Sequence, residues 1–328
     1  MRRLRGTRVL VVGDAMLDEY VWGEVRRVSP EAPVTVVEMR RRTWVPGGAA
    51  NAAANVVSLG GRAWLAAVVG RDPQAGWLTA VLGQHGVDVS GLVVDGRRPT
   101  TLKTRIVAHS QQVVRVDTET RAPLPAAVER RLLAWVERRL PRADACVLSD
   151  YGKGVVSRRV AERLIAVARR AGTPVVVDPK GTDYTKYRGA TLVTPNLAEA
   201  ERAVNREIAG ERDVLAVGRR LLEMLDGSAV LITRGAQGMS LFRRGAAVVH
   251  IPAVARHVFD VTGAGDTVVG VLALALGAGV SLDDGARLAN LAADLVVGKF
   301  GTATVSAREL VGPRGDGARR RRPAGHRA

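Results

Sequence analysis

Six short apolar runs, separated by stretches of helical periodicity, leave this chain few architectures. They are Thr7–Gly13, Ala63–Val69, Ala143–Ser149, Pro174–Asp178, Thr191–Val193 and Ala229–Thr233. Each is nearly continuous in apolar residues, as a strand buried on both faces must be. Between them, Ala126–Leu140 and Ser157–Ala171 repeat apolar residues at helical spacing. Strands alternating with helices in this way predict a doubly wound, mostly parallel central sheet flanked by helices.

Two stretches break the pattern. Glu19–Met39 and Thr100–Asp117 alternate apolar and polar residues with period two, as at Val34, Val36 and Met39 and at Leu102, Thr104 and Ile106. Strands with one wet face read this way. They predict a small antiparallel β lid over approximately residues 19–40 and 100–117, set apart from the main sheet. Its exposed edges could support a homodimer. From Gly312 the chain is mostly Gly, Pro and Arg. Residues 1–311 are therefore expected to form one domain, and residues 312–328 a basic disordered tail.

Charge constrains function less than its size suggests. The formal net charge is +17, which raises the alternative of a non-catalytic nucleic-acid-binding protein. However, five of the 49 basic residues are Lys, so the excess reflects a general preference for Arg. Much of it also sits at the ends, in Arg2, Arg3, Arg5 and Arg8 and in Arg314, Arg319–Arg322 and Arg327. The apolar run Val9–Val12 behind the basic start is shorter than the ~7–15 residues of a signal-peptide core. No apolar stretch approaches the ~20 residues of a membrane span. The lone Cys146 excludes an internal disulfide framework. A cytoplasmic enzyme is the expectation. No Gly-x-x-x-x-Gly-Lys-Ser/Thr string is present, and Gly152-Lys-Gly154 lacks that spacing, so a P-loop is excluded.

The strongest chemical signal is Asp260-Val-Thr-Gly-Ala-Gly-Asp-Thr267, followed by the apolar, small-residue helix Val268–Ala278. Gly263, Ala264 and Gly265 stand where that helix begins. Small residues let backbone N–H groups approach a phosphate, and the helix N-terminus adds its dipole. Asp266 would repel a phosphate there. It makes sense as a base for an incoming hydroxyl, or alternatively as a helix cap.

This motif resembles the C-terminal signature of ribokinase-like (PfkB-type) sugar kinases. Gly47-Gly-Ala-Ala-Asn51, ahead of a helix at Ala52–Leu59, resembles their N-terminal signature. The resemblance implies a ribokinase-like fold, Asp266 as the base, and Gly47, Gly48 and Asn51 on the sugar. Asn196 and Glu199, in Asn-x-x-Glu, then match an element that holds Mg²⁺ and phosphates largely through water. Thr233, Gly235 and Gly238 match a nucleotide-binding turn, and Lys180 and Asn290 complete the expected ATP site. Asp260 and Thr262 match positions that bind a monovalent cation such as K⁺ in some relatives.

Longer strings resemble D-glycero-β-D-manno-heptose-7-phosphate kinases within that family. They include Gly13–Tyr20, Ser29–Val34, Pro99–Arg105, Gln112–Asp117, Leu148–Gly154, Val177–Asp183 and Val297–Thr304. The implied reaction is ATP-dependent phosphorylation of heptose 7-phosphate at its anomeric hydroxyl. A substrate that already carries a phosphate needs a cationic clamp, expected from Lys103, Arg105, Arg115 and Lys153. Asp14, Asp18 and Asp150, near strand ends, are expected on the sugar hydroxyls. Such kinases are often fused to a nucleotidyltransferase. No signature of one is present here, so a separate protein is expected to supply that step. Alternatives within the family act on ribose, fructose 1-phosphate, a ketosugar acid or a nucleoside.

Overall fold

The computed structural model describes residues 2–109, 111–254 and 258–311. The first part of the chain forms β1 (Arg8–Gly13), β2 (Ala15–Val28), β3 (Thr35–Gly48), α1 (Ala49–Ser58), β4 (Arg62–Val69), α2 (Pro73–Gln84) and β5 (Asp88–Val94). Next come β6 (Leu102–Ala108), β7 (Gln111–Thr118), α3 (Ala126–Arg139), β8 (Ala145–Ser149), α4 (Arg158–Ala171), β9 (Val175–Asp178) and β10 (Leu192–Val193). The last part forms α5 (Leu197–Val204), α6 (Glu211–Leu225), β11 (Ala229–Thr233), β12 (Met239–Phe242), β13 (Val249–Ile251), α7 (Ala264–Gly277), α8 (Leu282–Val296) and α9 (Ala307–Val311).

Nine strands make the main sheet in the order β13-β12-β11-β10-β9-β8-β1-β4-β5. The seven from β11 to β5 run parallel, and β12 and β13 add an antiparallel edge. Strand β1 shows why its run is apolar throughout. Val9 and Val11 face the core under α1, α2, α7 and α8, while Leu10 and Val12 face the core under α3, α4 and α6. All six apolar runs are strands. Strands β5, β12 and β13 lack so continuous an apolar run, and their sequence does not announce them.

The second sheet has the order β3-β2-β6-β7. Its outer pairs are antiparallel, while the central β2 and β6 run parallel, with Asp18 opposite Lys103 and Tyr20 opposite Arg105. Its strands outrun the alternating segments at the inner end. β2 starts one residue after Asp14, with Ala15 to Tyr20 buried, and β3 runs directly into α1. Helix α1 opens at Ala49 rather than Ala52, because Gly48 at φ 56° makes the turn that starts it. The lid is thus rooted in the body beside Asp14 and at the Gly47–Asn51 signature. The basic tail lies outside the described residues. No helix among the described residues is long and apolar enough to cross a membrane.

Candidate active site

Asp266 lies in the first turn of α7, and the carboxylate does not cap the helix. Gly263 occupies the cap position in the left-handed conformation, and no side chain caps the helix. Instead Asp266 is 2% exposed. It accepts hydrogen bonds from Tyr151 Oη at 2.6 Å on Oδ1 and from Asn51 Nδ2 at 2.9 Å on Oδ2. Burial pushes its pKa up to about 7, against the two hydrogen bonds that hold it down, and the charge of Asp18 pushes it further up. A carboxyl group poised near neutrality is suited to take a proton.

Asn51 is held in orientation from behind. Its Oδ1 accepts from Asn55 Nδ2 at 3.1 Å, and Asn55 Oδ1 accepts from Thr267 Oγ1 at 3.2 Å. That buried chain fixes which end of the Asn51 amide faces Asp266. A Cβ on Gly263 would lie 2.7 Å from Asn51 Nδ2, so glycine there is what lets α1 and α7 bring these side chains together.

Two cavities meet beside this pair. The first, about 210 Å³, is polar, with Asp150, Tyr151, Asp178, Lys180, Asn196 and Glu199 among its walls. The second, about 450 Å³, is mostly apolar and includes Gly235, Gly238, Val261, Asn290 and Val297. Asn196, Thr233, Gly265 and Val268 border both. The expected nucleotide would set its flat ring in the second and its phosphates in the first. Gly265 sits at the junction, and a Cβ there would meet nothing within 4 Å. Its freedom from protein contacts leaves room for a ligand to approach the N–H groups of the helix start.

The expected nucleotide residues therefore converge, several with a second task. Asn196 and Glu199 form a full capping box on α5, at 2.9 and 3.0 Å. Glu199 also pairs with Lys180 at 2.8 Å. Gly238 is required by its turn, since a Cβ would lie 2.0 Å from Ile251 O. Asn290 Nδ2 donates to Pro252 O at 2.9 Å.

The lid face carries the sugar-side candidates. Asp18 Oδ1 accepts from Arg105 at 2.7 Å, and a Cβ on Gly47 would lie 2.6 Å from Asp18 Oδ2. Next to them, Lys103 reaches Asp117 at 3.1 Å and Glu119 at 3.4 Å, while Lys153 reaches Glu119 at 2.5 Å. Two lysines from separate segments thus share one carboxylate at the lid's base. Among the described residues there is no cluster of three or more His, Cys, Asp or Glu side chains suited to a metal.

Four of the expected site residues are engaged by other parts of the chain. Asp14 is held by backbone N–H groups. Its carboxylate receives the N–H groups of Tyr151, Lys153 and Val155 at 2.8 to 3.1 Å and so clasps the loop after β8. Asp150 is likewise engaged, by Gly152 N, Lys186 Nζ and Tyr187 Oη at 2.6 to 2.8 Å, and it borders the phosphate-side cavity. Arg115 lies on the fully exposed β7 and pairs with Asp117 at 2.9 Å, at the rim. The Asp260 oxygens receive Thr262 N at 2.9 Å and Gly301 N at 3.0 Å, clipping two loops together. A short loop acid looks alike in sequence whether it meets a ligand or backbone N–H groups.

Tyr151 and Asp178 fall within the heptose-kinase-like strings without an implied role, and Asn55 and Glu119 lie in no motif. Asp178 ends β9, and burial with the charges of Asp266 and Glu199 holds its carboxyl well above the usual carboxylate range. An excess of carboxylates beside a phosphate cavity is a setting that a divalent cation with oxygen ligands would neutralise.

Comparison with known proteins identifies the family. The pattern of the pfkB family carbohydrate kinases matches residues 6–309. The chain is 50% identical over 311 residues to the bifunctional protein HldE of Geobacter metallireducens, covering 95% of this chain and 64% of that protein. It is 51% identical over 306 residues to the HldE of Geobacter sulfurreducens, covering 93% and 62%. The chain thus spans less than two thirds of the length of these relatives. Phosphofructokinase-2 from Escherichia coli in complex with potassium superposes with a TM-score of 0.76 at 21% identity, covering 94% of this chain and 97% of that one. Arabidopsis thaliana ribokinase complexed with ribose and ATP gives 0.73 at 21%, covering 94% and 98%. On these grounds the chain belongs to the pfkB family of carbohydrate kinases, and with it to the ATP-dependent sugar kinases.

Proposed function

We propose that this chain phosphorylates a sugar that already carries a phosphate, D-glycero-D-manno-heptose 7-phosphate, at its anomeric hydroxyl, giving the 1,7-bisphosphate. The observation that carries the reading is the lysine pair at the lid's base. Lys103 and Lys153 approach the two oxygens of the Glu119 carboxylate from different segments, Lys103 at Oε2 and Lys153 at Oε1, beside Asp18 and Arg105. Two ammonium groups that carboxylates hold side by side can turn to a terminal phosphate, which a plain pentose lacks. The heptose-kinase resemblance of the strings that contain Lys103 and Lys153 supports the same sugar.

In this mechanism the sugar lies between the lid face and α1, with Asn51 and Asp18 on its hydroxyls. Asp266 takes the proton of the anomeric hydroxyl as that oxygen attacks the γ-phosphate in line. The N–H groups at the start of α7 and the Lys180 ammonium offset charge on the transferred group. Asp178, with Glu199 and Asn196 through water, would hold Mg²⁺, which supplies charge neutralisation on the nucleotide phosphates. A K⁺ ion between the loops that Asp260 clips together belongs to the proposal as a dependence on monovalent salt.

Coupled ATP turnover on heptose 7-phosphate, unphosphorylated heptose, ribose and fructose 1-phosphate, with NMR of the product, is the test. Preference for heptose 7-phosphate and a new phosphate on the anomeric carbon are expected. Preference for an unphosphorylated sugar, or a phosphate elsewhere on the ring, refutes the reading.

A further inference from the structure

The geometry points to Tyr151 as the positioning residue for the proposed base, its hydroxyl standing where a sugar hydroxyl would donate. The inference rests on Asp266 being that base.

Three observations carry it. First, the Tyr151 hydroxyl donates to Asp266 Oδ1 at 2.6 Å while Asn51 donates to Oδ2 at 2.9 Å, so both oxygens of the base have a fixed donor. The shorter contact lies in the range of a hydroxyl bonded to a charged carboxylate, about 2.5–2.7 Å. Second, Tyr151 is anchored at both ends. Its N–H donates to Asp14 Oδ2 at 2.8 Å, and the following turn is tied by Gly152 N to Asp150 at 2.8 Å. Its ring passes Gly48 so closely that a Cβ there would lie 3.4 Å from Cδ2. Third, Tyr151 borders the phosphate-side cavity, so the tyrosine stands beside both the base and the expected phosphates.

The tyrosine is a donor only. Burial and the charges of Asp266 and Asp178 hold its own proton far above the neutral range. It therefore stabilises the carboxylate without competing for the proton. In the free enzyme it supplies an O–H to Oδ1, the oxygen that a sugar hydroxyl would approach, and leaves the second lone pair of that oxygen open. Asp14, placed by motif on the substrate, acts through Tyr151 by fixing its backbone.

Tyr151→Phe keeps the ring and removes the hydroxyl. The measurement is kcat/KM for the phosphorylated sugar against pH at saturating ATP, with KM for ATP and a thermal melt reporting folding. The charges that act on Asp266 are Asp18 from the lid and Asp178 from the nucleotide side, with Glu199 and Lys180 standing by Asp178, all unchanged in the variant. Loss of a charge-assisted hydrogen bond is expected to move the acidic limb up by about one pH unit and so to lower kcat/KM at about pH 6 about tenfold. An acidic limb that stays in place overturns the inference whatever happens to kcat, since a packing role alone would not move it. Asp266→Asn separates the two claims. Retained turnover in that variant defeats the base, whereas lost turnover there with an unmoved limb in Tyr151→Phe defeats only the tyrosine.

Discussion

Replacing Asp266 by Asn should stabilise the protein while abolishing transfer, and the stabilisation should depend on pH in a set direction. Burial raises the Asp266 pKa from 3.8 to about 7. Between those values the folded chain binds a proton that the unfolded chain has released, so stability falls as pH rises through that window. Below about pH 4 both states are protonated and the cost is absent, and above about pH 7 it is complete. At about 1.4 kcal/mol per pH unit, the full cost is about 4 kcal/mol. About 3 kcal/mol of it falls between pH 5 and pH 8.

Asn carries no charge at either pH, so its stability lacks this dependence. The substitution also changes how the side chain meets the donors Tyr151 and Asn51. That change is common to both pH values and cancels in the difference. At about 2 °C per kcal/mol for a chain of this size, the gap in Tm between variant and parent should widen by about 6 °C from pH 5 to pH 8. Differential scanning calorimetry of both proteins at the two pH values measures it. A gap that stays constant, or narrows as pH rises, refutes the desolvated carboxylate at the base of this reasoning.

Two substitutions probe the neighbouring pieces. Gly48→Ala places a Cβ 2.6 Å from Asp14 O and 2.8 Å from Met16 Cε at φ 56°, and should cost about 2 kcal/mol or more in urea unfolding. Lys180→Met leaves Glu199 without its ammonium partner beside the phosphate-side cavity, and should raise KM for ATP about tenfold or more while leaving KM for the sugar within about twofold.

The main sheet was legible because parallel strands buried on both faces cannot carry polar residues. Val9 to Val12 had to be apolar at every position to serve two cores. The lid was legible for the opposite reason, since its strands keep one face wet. The edge strands β12 and β13 were not, because Ser240 and His250 interrupt their apolar residues. The start of α1 was misplaced because Gly48 turns the chain at φ 56°, a backbone fact that a sequence does not state. The parallel pairing of β2 with β6 depends on how two distant segments meet, and alternation alone says nothing about strand direction.

The site divides along the same line. Gly263, Gly265, Asp266 and Asn51 could be singled out because their spacing is local and each type has few reasons to stand there. The loop acids could not be ranked, because their partners are chosen by tertiary structure. Asp14 and Asp18 are four residues apart, yet one clasps backbone N–H groups of the loop after β8 and the other faces Arg105 on the lid. Strand order decides between them. β1 pairs with β8, so an acid one residue past the end of β1 meets the loop leaving β8, while an acid five residues past it has already entered β2. The same adjacency delivers Tyr151 to Asp266. The residue that completes the proposed base is therefore set by the neighbour of the first strand in the sheet, and a chain with the same motifs but another strand order would leave that carboxylate with Asn51 alone.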